Sequence, residues 1–362
     1  MTPLQGSANT SQHSNRWLAQ ALVLIVGLLI IVGGIVAVLL LSGKDPASAL
    51  NLFLQGSLGD ATQRSLVVMR GLPILLAASG LLLTFSAGLW NIGIEGQMMF
   101  GAIFATIIAR SVGNDTSGWI ALALELILAA IGGALWALVA GVLKTKGRVN
   151  EIFGGVALNF IASNIALYIL DGPWKYGARQ QTAPFNAPAL LPLVPDSGAL
   201  SLPGILIAIA GFVLVYLILK RSRWGLQLRA MGHSQRSAFL LGVRTERNVL
   251  LAMMACGALG GIGGALQILS PDPVSKGYLF PDSSGGIGFL ALLVVLLANY
   301  QAAWVPLISL FFSLVPVGML NLQTQIGLDP TLGRVFEEAL VFIVVLANGA
   351  AARARHTMGE PD

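Results

Sequence analysis

Leu89-Trp90-Asn91-Ile92-Gly93-Ile94-Glu95-Gly96-Gln97 interrupts a long hydrophobic region. Before it, residues 71–90 read as one apolar span. After it, residues 98–109 carry no charge. That second piece is short: as a helix it covers about 18 Å, against a bilayer core of about 30 Å. So either 98–109 is a half-span, or some of Asn91, Glu95 and Gln97 lie at membrane depth. An ionisable group at that depth is costly and faces the protein interior or a water-filled path. Gly88, Gly93 and Gly96 can break or kink a helix, and the freed backbone groups are tolerated only where protein or a cavity satisfies them. Two arrangements fit. One is a tight hairpin between two spans, with Glu95 in the interfacial zone. The other is a broken helix lining a transport path.

The surrounding chain decides the class. It has 362 residues, of which 56% are hydrophobic and only 10% charged. Soluble domains carry about 25% charged residues. The apolar residues come in blocks of about 20, so the fold class is all-α, a polytopic helical membrane protein. No length remains for a second soluble domain. The net charge is +5, but the basic residues sit in particular loops, a pattern of membrane orientation rather than of nucleic-acid binding. Cys256 is the single cysteine and lies in an apolar run, which excludes an intrachain disulfide and a cysteine metal cluster.

Residues 1–16 are polar and read as a disordered cytoplasmic N-terminus. The apolar run from Trp17 to Leu41 is too long for a signal-peptide core, despite Ala47-Ser48-Ala49, and reads as an uncleaved first span. Residues 44–70 connect; Leu50, Leu52, Phe53 and Leu54 suggest an interfacial helix. Further spans are expected at 119–143, 152–170, 204–219, 248–269, 286–298, 304–320 and 335–348, making about ten helices between 17 and 348. Residues 171–202 hold Pro173, Pro184, Pro188, Pro192 and Pro195 and read as an irregular external loop. Residues 349–362 form a cytoplasmic tail. With the N-terminus inside, the inside segments carry 13 Lys and Arg and the outside segments 8. The positive-inside rule therefore places both termini in the cytoplasm.

The loop from Lys220 to Arg247 is the second informative stretch. It carries seven of those inside charges and exceeds most helix connections in length. Ser234 can N-cap a short helix running through Leu241 and closed by Gly242. Such a helix either anchors in lipid headgroups or docks a soluble partner.

These motifs together resemble the inner-membrane permease family of ABC importers for branched-chain amino acids, simple sugars and nucleosides. Gly88-Leu89-Trp90-Asn91-Ile92-Gly93-Ile94-Glu95-Gly96-Gln97 is similar to its signature. Asn150-Glu151-Ile152 with Leu158-Asn159-Phe160 resembles the nucleoside and simple-sugar branch. So does Leu228-Arg229-Ala230-Met231-Gly232-His233 through Ala238 and Leu241-Gly242-Val243. The similarity runs from about residue 16 to 349.

The resemblance implies a cobalamin-importer-like fold without an ATPase domain. It implies that Arg229, Ala230, Gly232, Ala238 and Gly242 belong to a coupling element docked in a groove of the ATPase subunit. Asn91, Glu95, Gln97 and Asn159 would line the translocation path or support the broken helix. Asn159 and Asn164 are five apart and do not share one narrow helix face. The partners implied are an ABC ATPase, an external substrate-binding lipoprotein, and a second related permease or a second copy of this chain. The place implied is the bacterial inner membrane.

Other features read as structural. Gly257/Gly261 and Gly260/Gly264 have the small-xxx-small spacing of closely packed helices. Glu125 has no assigned role. No Gly-x-x-x-x-Gly-Lys-Ser/Thr loop is present, so ATP hydrolysis belongs to another subunit. His13, His233 and His356 lie outside the spans, so the glutamates, Glu337 and Glu338 included, lack the partners of an intramembrane hydrolase. No catalytic residue, metal site or cofactor is expected. The competing class is an ion-coupled secondary transporter, with Glu95 as the coupling carboxylate.

Overall fold

The computed structural model describes residues 40, 43, 45–271 and 277–327. The expected N-terminal segment 1–16, most of the 17–41 span, the 335–348 span, Glu337, Glu338 and the 349–362 tail lie outside the described residues.

The described chain is helical, and its pattern of length and apolarity follows the sequence closely. In chain order the helices are α1 (Pro46–Leu58), α2 (Ala61–Ser86), α3 (Ile94–Ala109), α4 (Gly118–Thr145) and α5 (Glu151–Asp171). Then come α6 (Leu202–Arg221), α7 (Arg223–His233), α8 (Gln235–Leu240), α9 (Thr245–Leu269), α10 (Ile287–Leu297) and α11 (Val305–Ile326). Among the described residues there is no β-strand beyond an isolated bridge, Tyr176 to Arg179. Among the described residues six helical segments are long and apolar enough to cross a membrane, and α3 and α10 are shorter apolar helices.

The boundaries have local causes. Asp60 caps α2 by accepting from Gln63 N at 2.8 Å, so this helix begins ten residues before the expected start at 71. Arg64 and Arg70 lie within its first turns, where long cationic side chains can reach out of an apolar layer. Asn150 caps α5 through Ile152 N, and Ser201 caps α6. Lys144 in the last turn of α4 pairs with Glu151 in the first turn of α5, each charge placed favourably for its helix dipole.

Two compact units divide the chain. Residues 57–317 form one, and 1–56 with 318–362 form the other. In the smaller unit, Asn321 donates to the Leu52 carbonyl at 2.7 Å, and Gly318 admits the Phe53 ring. Asp45 stands at the start of α1, where its carboxylate accepts from the Ser48 hydroxyl and backbone. Those bonds hold Asp45 below the ordinary carboxylate range.

In the larger unit α2 is the central helix: 89% of its apolar window is buried, against 22% for α6. Helix α9 packs on α2, α3 and α4. Glycines make that approach possible. A Cβ at Gly101 would collide with Gly261, and one at Gly133 with Gly257. The expected small-residue packing of 257–264 is therefore a packing of α9 against two helices at once. The loop between α5 and α6 is irregular apart from a turn at Ala187–Ala189, yet it is tied down. Phe185 N donates to the Gly277 carbonyl at 2.7 Å, Thr182 N to Leu279 at 3.0 Å and Leu191 N to Leu269 at 3.0 Å. Asn186 reaches the Val112 carbonyl at 2.6 Å.

Candidate functional site

The site grows from the way α2 stops. Gly88 adopts a left-handed conformation, with φ of 72°. Leu89 N then bonds back to the Thr84 carbonyl and Gly88 N to Phe85. This is a Schellman closure, which satisfies the last carbonyls of the helix. The chain runs without helix to Gly93 and enters α3 at Ile94. Glu95 and Gln97 therefore sit in the first turn of a 16-residue helix, about 24 Å long.

That first turn leaves backbone N–H groups without helical partners, and Gly93 offers no side chain to cap them. Asn159 on α5 does so instead. It accepts from Gly96 N at 2.9 Å and donates to the Ile92 carbonyl at 2.9 Å, bridging the break from outside. Asn91 and Gln97 form a reciprocal amide pair across the break, at 3.0 and 2.9 Å. Asn91 also donates to the Cys256 sulfur of α9 at 3.1 Å. Trp136 stacks on Phe100 at 3.8 Å and covers Gly96. A Cβ at Gly96 would fall 2.8 Å from the indole nitrogen and 3.1 Å from Asn159 Oδ1.

Glu95 points toward α10. Its carboxylate accepts from Gly286 N at 2.8 Å and Gly288 N at 2.7 Å, and from the Ser284 hydroxyl. Gly286 is the N-cap of α10, with φ of 75° and no side-chain cap of its own. A carboxylate from another helix thus caps α10, placing negative charge at the positive end of its dipole. Asn91, Glu95, Gln97 and Asn159 are 2%, 8%, 0% and 8% exposed. Their hydrogen-bonding capacity is spent on protein. Asn164 stands apart, exposed and bonded to its own helix at Phe160.

The stretch after α6 forms two short helices. Ser222 caps α7 through Gly225 N at 2.9 Å, and Ser234 caps α8 through Ser237 N at 3.2 Å. The expected short helix is therefore present, ending at Leu240 with Gly242 left-handed at φ of 84°. Leu228, Met231 and Ala238 are buried, whereas Arg229, Gly232 and Gly242 are exposed and Ala230 is intermediate. Phe239, Leu240 and Leu241 project an apolar tip. Gly232 lies on the end of α2: its Cα is where a Cβ on Gly88 would come within 3.3 Å. The two stretches singled out in the sequence thus touch.

Sequence reasoning missed the partners. Cys256, Ser284, Gly286 and Gly288 complete the site, and only the Ser283-Ser284-Gly285-Gly286 run before an apolar helix hinted at a special turn. Glu125 is fully buried on α4, and its carboxylate makes no hydrogen bond among the described residues.

Comparison with known proteins adds a second line of evidence. Residues 64–346 match the family described as branched-chain amino acid transport system / permease component. The glucose ABC transporter permease protein TsgB13 of Haloferax volcanii is 30% identical, over 91% of this chain and 88% of its own. The guanosine ABC transporter permease protein NupP of Bacillus subtilis is 28% identical, over 93% and 96%. The nucleoside ABC transporter permease protein NupB of Lactococcus lactis is 24% identical, over 76% of each chain.

Proposed function

The chain belongs to the branched-chain amino acid transport system / permease component family, and from that premise we propose that it forms the translocation path for a nucleoside or simple sugar in an ABC importer. The observation that carries this is the family match, which spans both the 88–97 break and the α7–α8 segment. As a permease the chain is a transport subunit. ATP hydrolysis takes place on a separate ABC ATPase subunit, which the α7–α8 segment engages through Arg229, Ala230, Gly232, Ala238 and Gly242. An external binding lipoprotein delivers the substrate, docking on loops such as 171–202. The full chain has about ten spans in a cobalamin-importer-like arrangement, with both termini in the cytoplasm of a bacterial inner membrane. It pairs with a second related permease around a central pore.

Asn91, Glu95, Gln97 and Asn159 hold the broken helix rather than touch substrate, because their polar atoms are already bonded and buried. Movement at the α7–α8 segment passes to the break through the Gly232–Gly88 contact. The test is reconstitution with the ATPase, binding lipoprotein and second permease in proteoliposomes. Uptake of guanosine or glucose should require internal ATP and survive collapse of proton and sodium gradients. Uptake driven by an ion gradient without ATP would overturn the reading.

A further inference from the structure

The last turn of α6 and the first turn of α9 are joined through α7. Helix α6 turns polar at Lys220 and Arg221, and α9 turns apolar only after Asn248. Both helices are long and apolar enough to cross a membrane. Helix α7 folds back on the end of α6: a Cβ on Gly225 would collide with the Ile218 carbonyl. The Trp224 indole N–H then donates to Asn248 Oδ1 on α9 at 3.1 Å. Helix α7 and the start of α9 border a cleft of about 360 Å³, at the level where both spans give way to charge.

The cleft presents donors and no free side-chain acceptor. Asn248 Oδ1 is taken by Trp224, and Gln227 Oε1 accepts from Asn248 Nδ2 at 3.2 Å. Both side-chain carbonyls are thereby spent, and the Gln227 amide N–H groups remain. Arg244 and Arg247 line the same cleft. Neither guanidinium has an ion pair or hydrogen bond among the described residues. No acid lines the cleft; Glu246 is the one acid in 220–247, against seven Lys and Arg. Helix α9 has no side-chain cap at Arg244, so the positive end of its dipole adds to the same field. Leu251 stands one turn beyond Arg247, borders the cleft and is 38% exposed. A ligand that matches all of this has an anionic head and an apolar tail.

We propose that this cleft binds the phosphate of an anionic phospholipid, with Arg244 and Arg247 on the phosphate oxygens and an acyl chain along Leu251. Guanidinium pairs with phosphate through parallel N–H bonds, and basic pockets between spanning helices hold lipid head groups. The inference needs only a membrane-embedded chain and is independent of what the chain transports.

The experiment titrates the purified full chain, in neutral detergent, with phosphatidylglycerol and counts bound lipid by native mass spectrometry. Wild type should hold phosphatidylglycerol in preference to phosphatidylcholine, whose choline cation the arginines repel. Arg244→Gln with Arg247→Gln should weaken phosphatidylglycerol binding at least about tenfold, the loss of two charge-assisted pairs. Both side chains are exposed, so the variant should melt as wild type does. Arg244→Lys with Arg247→Lys should recover most of the affinity, and Arg236→Gln, outside the cleft, should leave it unchanged. The lipid should resist displacement by millimolar inorganic phosphate and stay bound when the ATPase joins the complex. Equal affinity for phosphatidylcholine, or unchanged binding in the double Gln variant, would overturn the proposal. Displacement by inorganic phosphate would make the cleft a site for a soluble anion, and loss of lipid on ATPase binding would make it a protein interface; either result would overturn it as well.

Discussion

The Glu95 carboxylate accepts the Gly288 backbone N–H at 2.7 Å across a sequence separation of 193 residues. With the Gly286 bond at 2.8 Å it fastens the first turn of α10 to the first turn of α3. Both helices lack a capping side chain of their own. Each borrows one: α3 from Asn159, α10 from Glu95.

Removing that cap strands buried donors, each costing about 1–3 kcal/mol. Glu95→Leu should therefore lower the melting temperature of the purified chain markedly. Gly288→Ala should do the same, since a Cβ there would lie 2.8 Å from Glu95 N. Thermal unfolding in detergent is the measurement. Wild-type melting in both variants would remove the cap from the account.

Asn91 and Gln97 spend most of their hydrogen bonds on each other. Asn91→Ala and Gln97→Ala should each destabilise, and the double variant should cost little more than the worse single one. A double-mutant cycle reads the coupling, expected at about 0.5–3 kcal/mol for groups in one network. Additive effects would mean the pair is not formed.

The apolar tip of α8 gives a cleaner variant than deletion. Phe239 and Leu241 are 65% and 82% exposed, so Phe239→Asp with Leu241→Asp leaves the chain's own packing intact. Copurification with the ATPase should fall at least about tenfold, as expected when apolar anchors of an interface are lost. Retained complex and transport would exclude this tip from docking.

Stoichiometry has its own test. Two differently tagged copies of the chain, coexpressed with the neighbouring permease and ATPase, should not pull each other down, and the second permease should appear in equal amount. Efficient mutual pull-down in a transporting complex without a second permease would make the assembly a symmetric pair, the general default for oligomers.

Much of this was legible in the residues. Apolar block length located the eight apolar helices among the described residues, because lipid imposes length directly. Ser234 and Gly242 marked α8, since caps and left-handed glycines are local chemistry. The start of α2 was misplaced because Arg64 and Arg70 look like boundary charges, whereas the boundary is set by Asp60. The break itself was visible in Gly88, but its meaning was not. Between the path and a support, the polar residues looked alike until their partners at Ile92, Gly96, Cys256, Ser284, Gly286 and Gly288 were in place. Cys256 and the 284–288 segment come from two other parts of the chain, Asn159 meets Ile92 and Gly96 from a third, and no local pattern encodes these meetings.

ATP-driven uptake by Glu95→Gln tests the central claim most directly. The variant removes the charge that an ion-coupled carrier would need and keeps the size and an acceptor oxygen for α10. In proteoliposomes carrying the assembled complex, uptake of guanosine or glucose should persist at a substantial fraction of the wild-type rate, depend on internal ATP and ignore ionophores. Complete loss of transport in a normally folded, ATPase-bound Glu95→Gln complex would contradict the account.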